Sequence, residues 1–236
     1  MNINTLTKLF IVVGVVVILT AVLLLRPNRV PCHVRHLCIA NSHRIDIALR
    51  DYQGRYGVFP PAYVTDADGK PLYSWRVLIL PFLEEQELYN QFKLDEPWDS
   101  EANRKLLDAC PSVYRCPQAN AKPGMATYAM VVGPGTISDG PNSVSLEEIT
   151  DGPARTILLA ETLKRIPWTA PIDIPLSTLE AGIDPHGGGI GSNHPGLAVV
   201  VFADRSVRPI YDEIKPETLR ALATIADGEV IDTNKL

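Results

Sequence analysis

The sequence has no run of basic residues, and its formal charge of −5 over 236 residues offers nucleic acid no electrostatic footprint. It has no internal repeat and no low-complexity tract, so repeat arrays are excluded. Neither Gly-x-Ser-x-Gly nor His-Glu-x-x-His occurs, which removes two common hydrolase signatures. Gly187-Gly188-Gly189-Ile190-Gly191 lacks the preceding strand and the following Lys-Ser/Thr of a phosphate loop, and reads as a flexible loop. Cysteine is scarce: Cys32, Cys38, Cys110 and Cys116 are all there are, and no two form Cys-x-x-Cys. Zinc-ribbon and thioredoxin chemistry are therefore not signalled.

Charge is also missing from residues 9–25, an apolar run whose one hydroxyl is Thr20. As a helix it spans about 25 Å, a little short of the roughly 30 Å of bilayer hydrocarbon. In lipid only a helix satisfies the backbone within the segment. The reading is an N-terminal tail at 1–8, a transmembrane anchor at 9–25 and a soluble domain at 26–236. A cleaved signal peptide is the weaker alternative, because the exit Leu25-Arg26-Pro27-Asn28-Arg29-Val30-Pro31 contains no Ala-x-Ala site. A buried core element is weaker still, since no residue of the run is suited to face water.

Topology is read in two opposite ways. Lys8 precedes the run and Arg26, Arg29, Arg35 and Arg44 follow it, which by the positive-inside rule puts the domain in the cytoplasm. The cysteines point outward, because they form two pairs of equal spacing. A Cys38–Cys116 bridge would close a long loop worth about 4 kcal/mol, with Cys32–Cys110 as a parallel second bridge. The alternatives are four buried free thiols in a cytosolic protein, or a Cys32/His33/His36/Cys38 metal cluster, whose spacing fits no common site.

Twenty prolines and sixteen glycines argue for a loop-rich, largely β body. Residues 32–53 nevertheless carry helical periodicity, with Leu37, Asn41, Ile45, Ala48, Leu49 and Tyr52 on one face and Ser42 and Asp46 among the rest. Leu37, Ile45, Leu49 and Tyr52 are expected to pack on the following sheet. Residues 65–71 read as a turn rather than a calcium loop, because the remaining ligands and the closing Glu are absent. Ser74 opens a helix or an apolar strand, and Ser100 or Asp99 caps a helix over 101–107. Strands are expected at 127–132, 155–162 and 197–203, the last returning at 206–211 through Asp204-Arg205. A type I′ turn would want Gly where Arg205 stands, so Arg costs roughly 1 kcal/mol or forces another turn. Pro209 suggests that the return strand is an edge. Pro216 begins a short helix reaching residue 226.

These segments resemble, in order, the large bacterial family of prepilin-like proteins known as domain of unknown function 1559, with its His to Asp-Gly C-terminal motif. The resemblance is carried by Cys38 with Asn41, Tyr52, Phe59-Pro60-Pro61, Ser74-Trp75-Arg76-Val77-Leu78-Ile79-Leu80-Pro81, Pro97-Trp98-Asp99-Ser100 and Cys116-Pro117. It continues with Thr127-Tyr128, Gly133-Pro134-Gly135-Thr136, Ile149-Thr150-Asp151-Gly152 to Thr156, Glu161, Pro167-Trp168-Thr169, His194 and Phe202-Ala203-Asp204 with Ser206-Val207. It implies an α+β fold in which a pilin-like spine helix packs on an antiparallel β-sheet with long loops. It further implies a single-pass bacterial inner-membrane protein with its C-terminal domain in the periplasm, linked to pseudopilin or type II secretion-like machinery. Three departures qualify it: the prepilin-peptidase signature is absent, Asn4-Thr5-Leu6-Thr7-Lys8 standing in its place; Arg205 replaces the Gly after Asp204; and Pro27 and Pro31 break the continuous spine. The picture is a pilin-derived domain kept on its anchor.

His194 and Asp204 would stand at opposite ends of one strand, about 30 Å apart if fully extended, so structural duty outweighs an acid–base pairing. Glu161, ending an apolar strand, is read as a structural buried carboxylate. Trp75, Trp98 and Trp168 read as packing corners. Calcium would require carboxylates converging from around Asp139, Asp151 or Asp173; no other cofactor is expected. The first functional reading is a membrane-anchored structural or assembly protein, not an enzyme, partnered by pilin-like or secretion-system proteins. The second is a tethered module binding a solute or polysaccharide with its Pro- and Trp-rich loops. An exposed apolar patch on the spine helix or a sheet edge would favour the first, and a concave aromatic pocket the second.

Overall fold

Helical periodicity after Pro31 produces α1, Cys32–Tyr56, running slightly past the expected end at residue 53. Gly57 stops it by taking φ +80° and donating its N–H to the Gln53 carbonyl, a conformation that costs glycine little. The computed structural model describes residues 32–183 and 188–228, and the features below belong to the unit that begins at Val34. The expected anchor at 9–25 lies outside the described residues; among these, no helix is long and apolar enough to cross a membrane.

The buried face of α1 differs from the expected one. Cys38, Ser42, Ile45, Asp46, Ala48 and Leu49 are buried, whereas Leu37 is 43% exposed. Apolar spacing weights Leu37 above Cys38 and counts Ser42 and Asp46 as solvent residues. The helix is instead rotated by its fixed points: Cys38 is bonded to Cys116, Asn41 donates to the Arg115 carbonyl, and Arg50 donates to the Ala203 carbonyl. Ser42 is satisfied within the helix through the Cys38 carbonyl at 3.0 Å.

Next comes a small hairpin, β1 (Tyr63–Thr65) with β2 (Pro71–Ser74). Asp66 Oδ1 accepts from the amides of Asp68 and Lys70 at 3.0 and 2.8 Å, so the sequence read as a turn is one, and this carboxylate oxygen is engaged in closing it. Ser74 caps the short α2 (Trp75–Leu78) by accepting from the Arg76 amide. After α3 (Gln86–Gln91), Ser100 caps α4 (Glu101–Arg104) by accepting from the Asn103 amide, and the helix is shorter than expected.

The main sheet holds β3 (Met125–Ala129), β5 (Ile157–Pro167), β7 (Leu197–Phe202) and β8 (Val207–Tyr211), antiparallel throughout in the order β3-β5-β7-β8. Between them, β4 (Val131–Val132) and β6 (Ile174–Pro175) form a short parallel pair. Every residue of β7 is buried, as expected of a strand covered on both faces. Tyr128, Leu158 and Val201 join the apolar cluster containing Ile45 and Leu49 of α1. Ala129, Ala160 and Val200 point the other way, into a cluster with Leu219 and Leu222 in and after α5 (Pro216–Ala221). Full burial of each large aliphatic side chain contributes about 1.5–3 kcal/mol.

A second buried feature fixes the loops over the sheet. Arg76, fully buried, gives 2.9 Å to Asp173 Oδ1, which also accepts from Trp75 Nε1 and the Met130 amide, each at 3.0 Å. Trp75 meets Tyr114 edge-on, and Tyr114 stacks on Trp168, so two of the three tryptophans are core residues.

β8 is the sheet edge that Pro209 suggested. Its hairpin differs from the expected type I′ turn. Phe202 N–H donates to the Ser206 carbonyl and Arg205 N–H to the Phe202 carbonyl, leaving a three-residue loop with Arg205 at φ 78°. That is the type I turn plus left-handed residue that normally holds Gly.

Candidate functional site

The site grows from three elements that meet at one edge of the helix–sheet interface. From α1 comes Cys38, bridged to Cys116 with 5.1 Å between Cα atoms. Cys116 follows a short turn and is held by its own N–H, which donates to Thr127 Oγ1 at 2.8 Å. Tyr128, next along β3, donates its hydroxyl to the Cys38 carbonyl at 3.1 Å. Burial, reinforced by the neighbouring Glu161 carboxylate, pushes the Tyr128 phenol well above its ordinary value, so it remains a donor. Cys110 carries a free thiol, and the expected Cys32–Cys110 bridge falls on Cys32, whose side chain, like that of His33, lies outside the described residues.

Glu161 sits mid-strand on β5, opposite Tyr128 in the β3–β5 ladder. One oxygen, Oε2, accepts from the Val199 amide of β7 at 3.0 Å. The other, Oε1, lies 3.7 Å from His194 Nε2 and makes no hydrogen bond, although the side chain is buried. His194 belongs to the loop entering β7. Its N–H donates to Ser192 Oγ at 2.9 Å, and the Ser192 hydroxyl donates to the Leu197 carbonyl at 2.6 Å. The loop is held to β5 as well: Gly191 N–H donates to the Glu161 carbonyl and Thr162 Oγ1 to the Gly189 carbonyl. The glycine stretch read as a flexible loop is thus anchored at these two residues. His194 Nε2 stands 3.8 Å from Cys116 Sγ.

Cys38, Cys116, Glu161 and His194 therefore converge, with one ligand-type atom from each lying within 4.8 Å of the others, all buried. A disulfide, an imidazole and a carboxylate enclosed together form no open catalytic cleft. In the oxidised chain they cross-brace the helix, the sheet and the loop before β7. All four residues stood out in the sequence, but their meeting did not. It depends on the β3–β5 register and on the return of the loop at 188–196.

His194 and Asp204 are not partners. Asp204 Oδ1 accepts from the Ser206 amide and hydroxyl at the hairpin tip, while Oδ2 lies 3.7 Å from Arg208. Asp151 accepts from the amides of Asp227 and Gly228, pinning that later turn, and Gly152 takes φ 98° beside it. Asp139, Asp151 and Asp173 form no cluster of metal-ligand type among the described residues. Pro97 offers its carbonyl to Asn103 and Asp99 its carbonyl to Arg104, while the Trp98 amide donates to Leu72. These are structural duties for the Pro97-Trp98-Asp99 motif.

No curated protein and no solved structure matches the chain. Residues 35–143 match the family described as "Protein of unknown function (DUF1559)", a stretch that includes Cys38 and Cys116 and stops before β5, Glu161 and His194. The match covers just under half of the chain and supports the family resemblance read from its sequence.

Proposed function

We propose that this is a membrane-anchored, extracytoplasmic structural or assembly protein of pilin-like design. The observation that carries the reading is Ile47, a large apolar residue left 48% exposed on the side of α1 opposite its buried Cys38 and Leu49, with Leu37 and Tyr56 also exposed toward the two ends of the same helix. Large apolar side chains kept in water along one packed helix suit contact with a neighbouring protein. The apolar run at 9–25, whose sequence leads through Pro27 and Pro31 toward α1, would supply the anchor. The Cys38–Cys116 bridge fits an oxidising compartment on the outer side of the membrane. The competing binding-module reading asks for tryptophans lining open loops, and Trp75 and Trp168 are fully buried.

The test is a photo-crosslinking amino acid at Ile47 of the full chain, expressed in its native membranes, combined with protease treatment of intact spheroplasts. The reading expects domain cleavage without lysis and one discrete crosslinked protein band. A domain protected until lysis, or no crosslink from Ile47, overturns it.

A further inference from the structure

The disulfide, His194 and Glu161 are arranged for a second occupant. We propose that reduction of the Cys38–Cys116 bridge converts the cluster into a site for a zinc-class divalent cation, ligated by Cys38 Sγ, Cys116 Sγ, His194 Nε2 and Glu161 Oε1.

The donor set is right for such an ion. Two thiolates, an imidazole and a carboxylate are the ligand types zinc takes in tetrahedral sites. With metal–ligand lengths of about 2.0–2.3 Å, ligand atoms around one tetrahedral ion stand roughly 3.3–3.8 Å apart. His194 Nε2 already lies 3.8 Å from Cys116 Sγ and 3.7 Å from Glu161 Oε1. All four ligand atoms lie within 4.8 Å of one another, so binding needs the two sulfurs to separate and the remaining atoms to close by about 1 Å at most.

The second observation is Glu161 Oε1 itself. It is buried, has no hydrogen-bond donor and faces His194, while Oε2 is fixed by the Val199 amide. An unsatisfied buried carboxylate oxygen carries a desolvation cost that a cation in the cluster would relieve. Charge also balances closely: two thiolates and one carboxylate against a divalent ion leave a single negative charge beside a neutral imidazole.

The exchange is stoichiometric. A dithiol reductant gives two electrons and two protons to the Cys38–Cys116 bond, leaving two thiols and its own disulfide. The cation then displaces the two thiol protons. Disulfide and cation are therefore mutually exclusive fastenings for the same three elements, and the domain would retain its cross-brace in either redox state.

The experiment uses the full chain in detergent with Cys32→Ser and Cys110→Ser, which remove the two thiols outside the cluster. The protein is reduced with dithiothreitol, freed of it under argon and titrated with cobalt(II). The proposal expects one equivalent to give thiolate-to-metal charge transfer and tetrahedral d–d bands, with zinc displacing the cobalt and the unreduced protein showing no bands. In His194→Ala the bands should be lost, and in Glu161→Gln weakened, with each variant's native circular dichroism verified in its oxidised form. No tetrahedral bands after reduction, or bands unchanged in His194→Ala, would overturn the site. If reduction unfolds the chain, recovery of native circular dichroism with one equivalent of zinc supports it, and failure to recover overturns it.

Discussion

Arg205 Nε lies 3.8 Å from Asp46 Oδ2, joining the tip of the β7–β8 hairpin to the buried face of α1. The side chain that makes this contact belongs to a residue at φ 78°, where an L residue is strained. The strain costs about 1 kcal/mol, and a 3.8 Å ion pair whose arginine is largely exposed returns at most about that much. Arg205→Gly is therefore expected to leave stability unchanged or raise it by about 0.5 kcal/mol. Arg205→Ala keeps the strain and loses the contact, so its urea midpoint should fall below that of the Gly variant. An Ala midpoint equal to or above that of Gly would contradict the strain.

Asp46 also gives a pH dependence. Burial holds its carboxyl above the ordinary 3.8, against the opposing pull of Arg50 and Arg205. The folded state then binds this proton more readily than the unfolded state. Between 3.8 and the raised folded value, stability falls as pH rises; the penalty is complete above the folded value and absent below 3.8. Asp173, raised by burial against the pull of Arg76, contributes with the same sign. Asp46→Asn should remove this fall, making the slope of stability against pH more positive just above pH 3.8 in urea titrations, and an unaltered slope there would count against a raised Asp46.

The Arg76–Asp173 pair predicts an asymmetry between single and double variants. Asp173→Ala leaves a fully buried guanidinium without its carboxylate and is expected to cost about 3–5 kcal/mol. Replacing both partners by apolar residues of similar volume should cost much less. The check is chemical denaturation of both, and a double variant as unstable as the single would refute the account.

The cysteines should behave unequally. Opening Cys38–Cys116, which spans 78 residues, is expected to remove about 4 kcal/mol when no metal is present. Burial pushes the Cys110 thiol up to about 12, so it stays protonated at pH 8 and reacts poorly with iodoacetamide until the chain is unfolded. Mass mapping of alkylation in native and denaturing buffer measures both. Rapid native labelling at Cys110 would go against its burial.

Much of the sheet was legible because period-two runs and turn residues are local signals: the strands around residues 127–132, 155–162, 197–203 and 206–211 all form, and Pro209 marked the edge. The face of α1 was misjudged at Leu37, Ser42 and Asp46, since its rotation is decided by partners far along the chain, Cys116 and Arg205 among them. The approach of Glu161 to His194 had no local signal. A one-residue slip in the β3–β5 register would send Glu161 to the opposite face. Arg205 was foreseen as strained, but its reach to Asp46 required the tertiary fold.

The edge strand has one last implication. Because Phe202 N–H donates to the Ser206 carbonyl, alternation along the antiparallel ladder makes Val199–Pro209 a non-bonded pair, with the Pro209 nitrogen facing outward. That outer rim lacks an amide proton midway along β8, which blunts it as a template for an added strand from another molecule. Filament-like growth, were it to occur, would then have to stack subunits through their helices rather than zip their sheets into one ribbon.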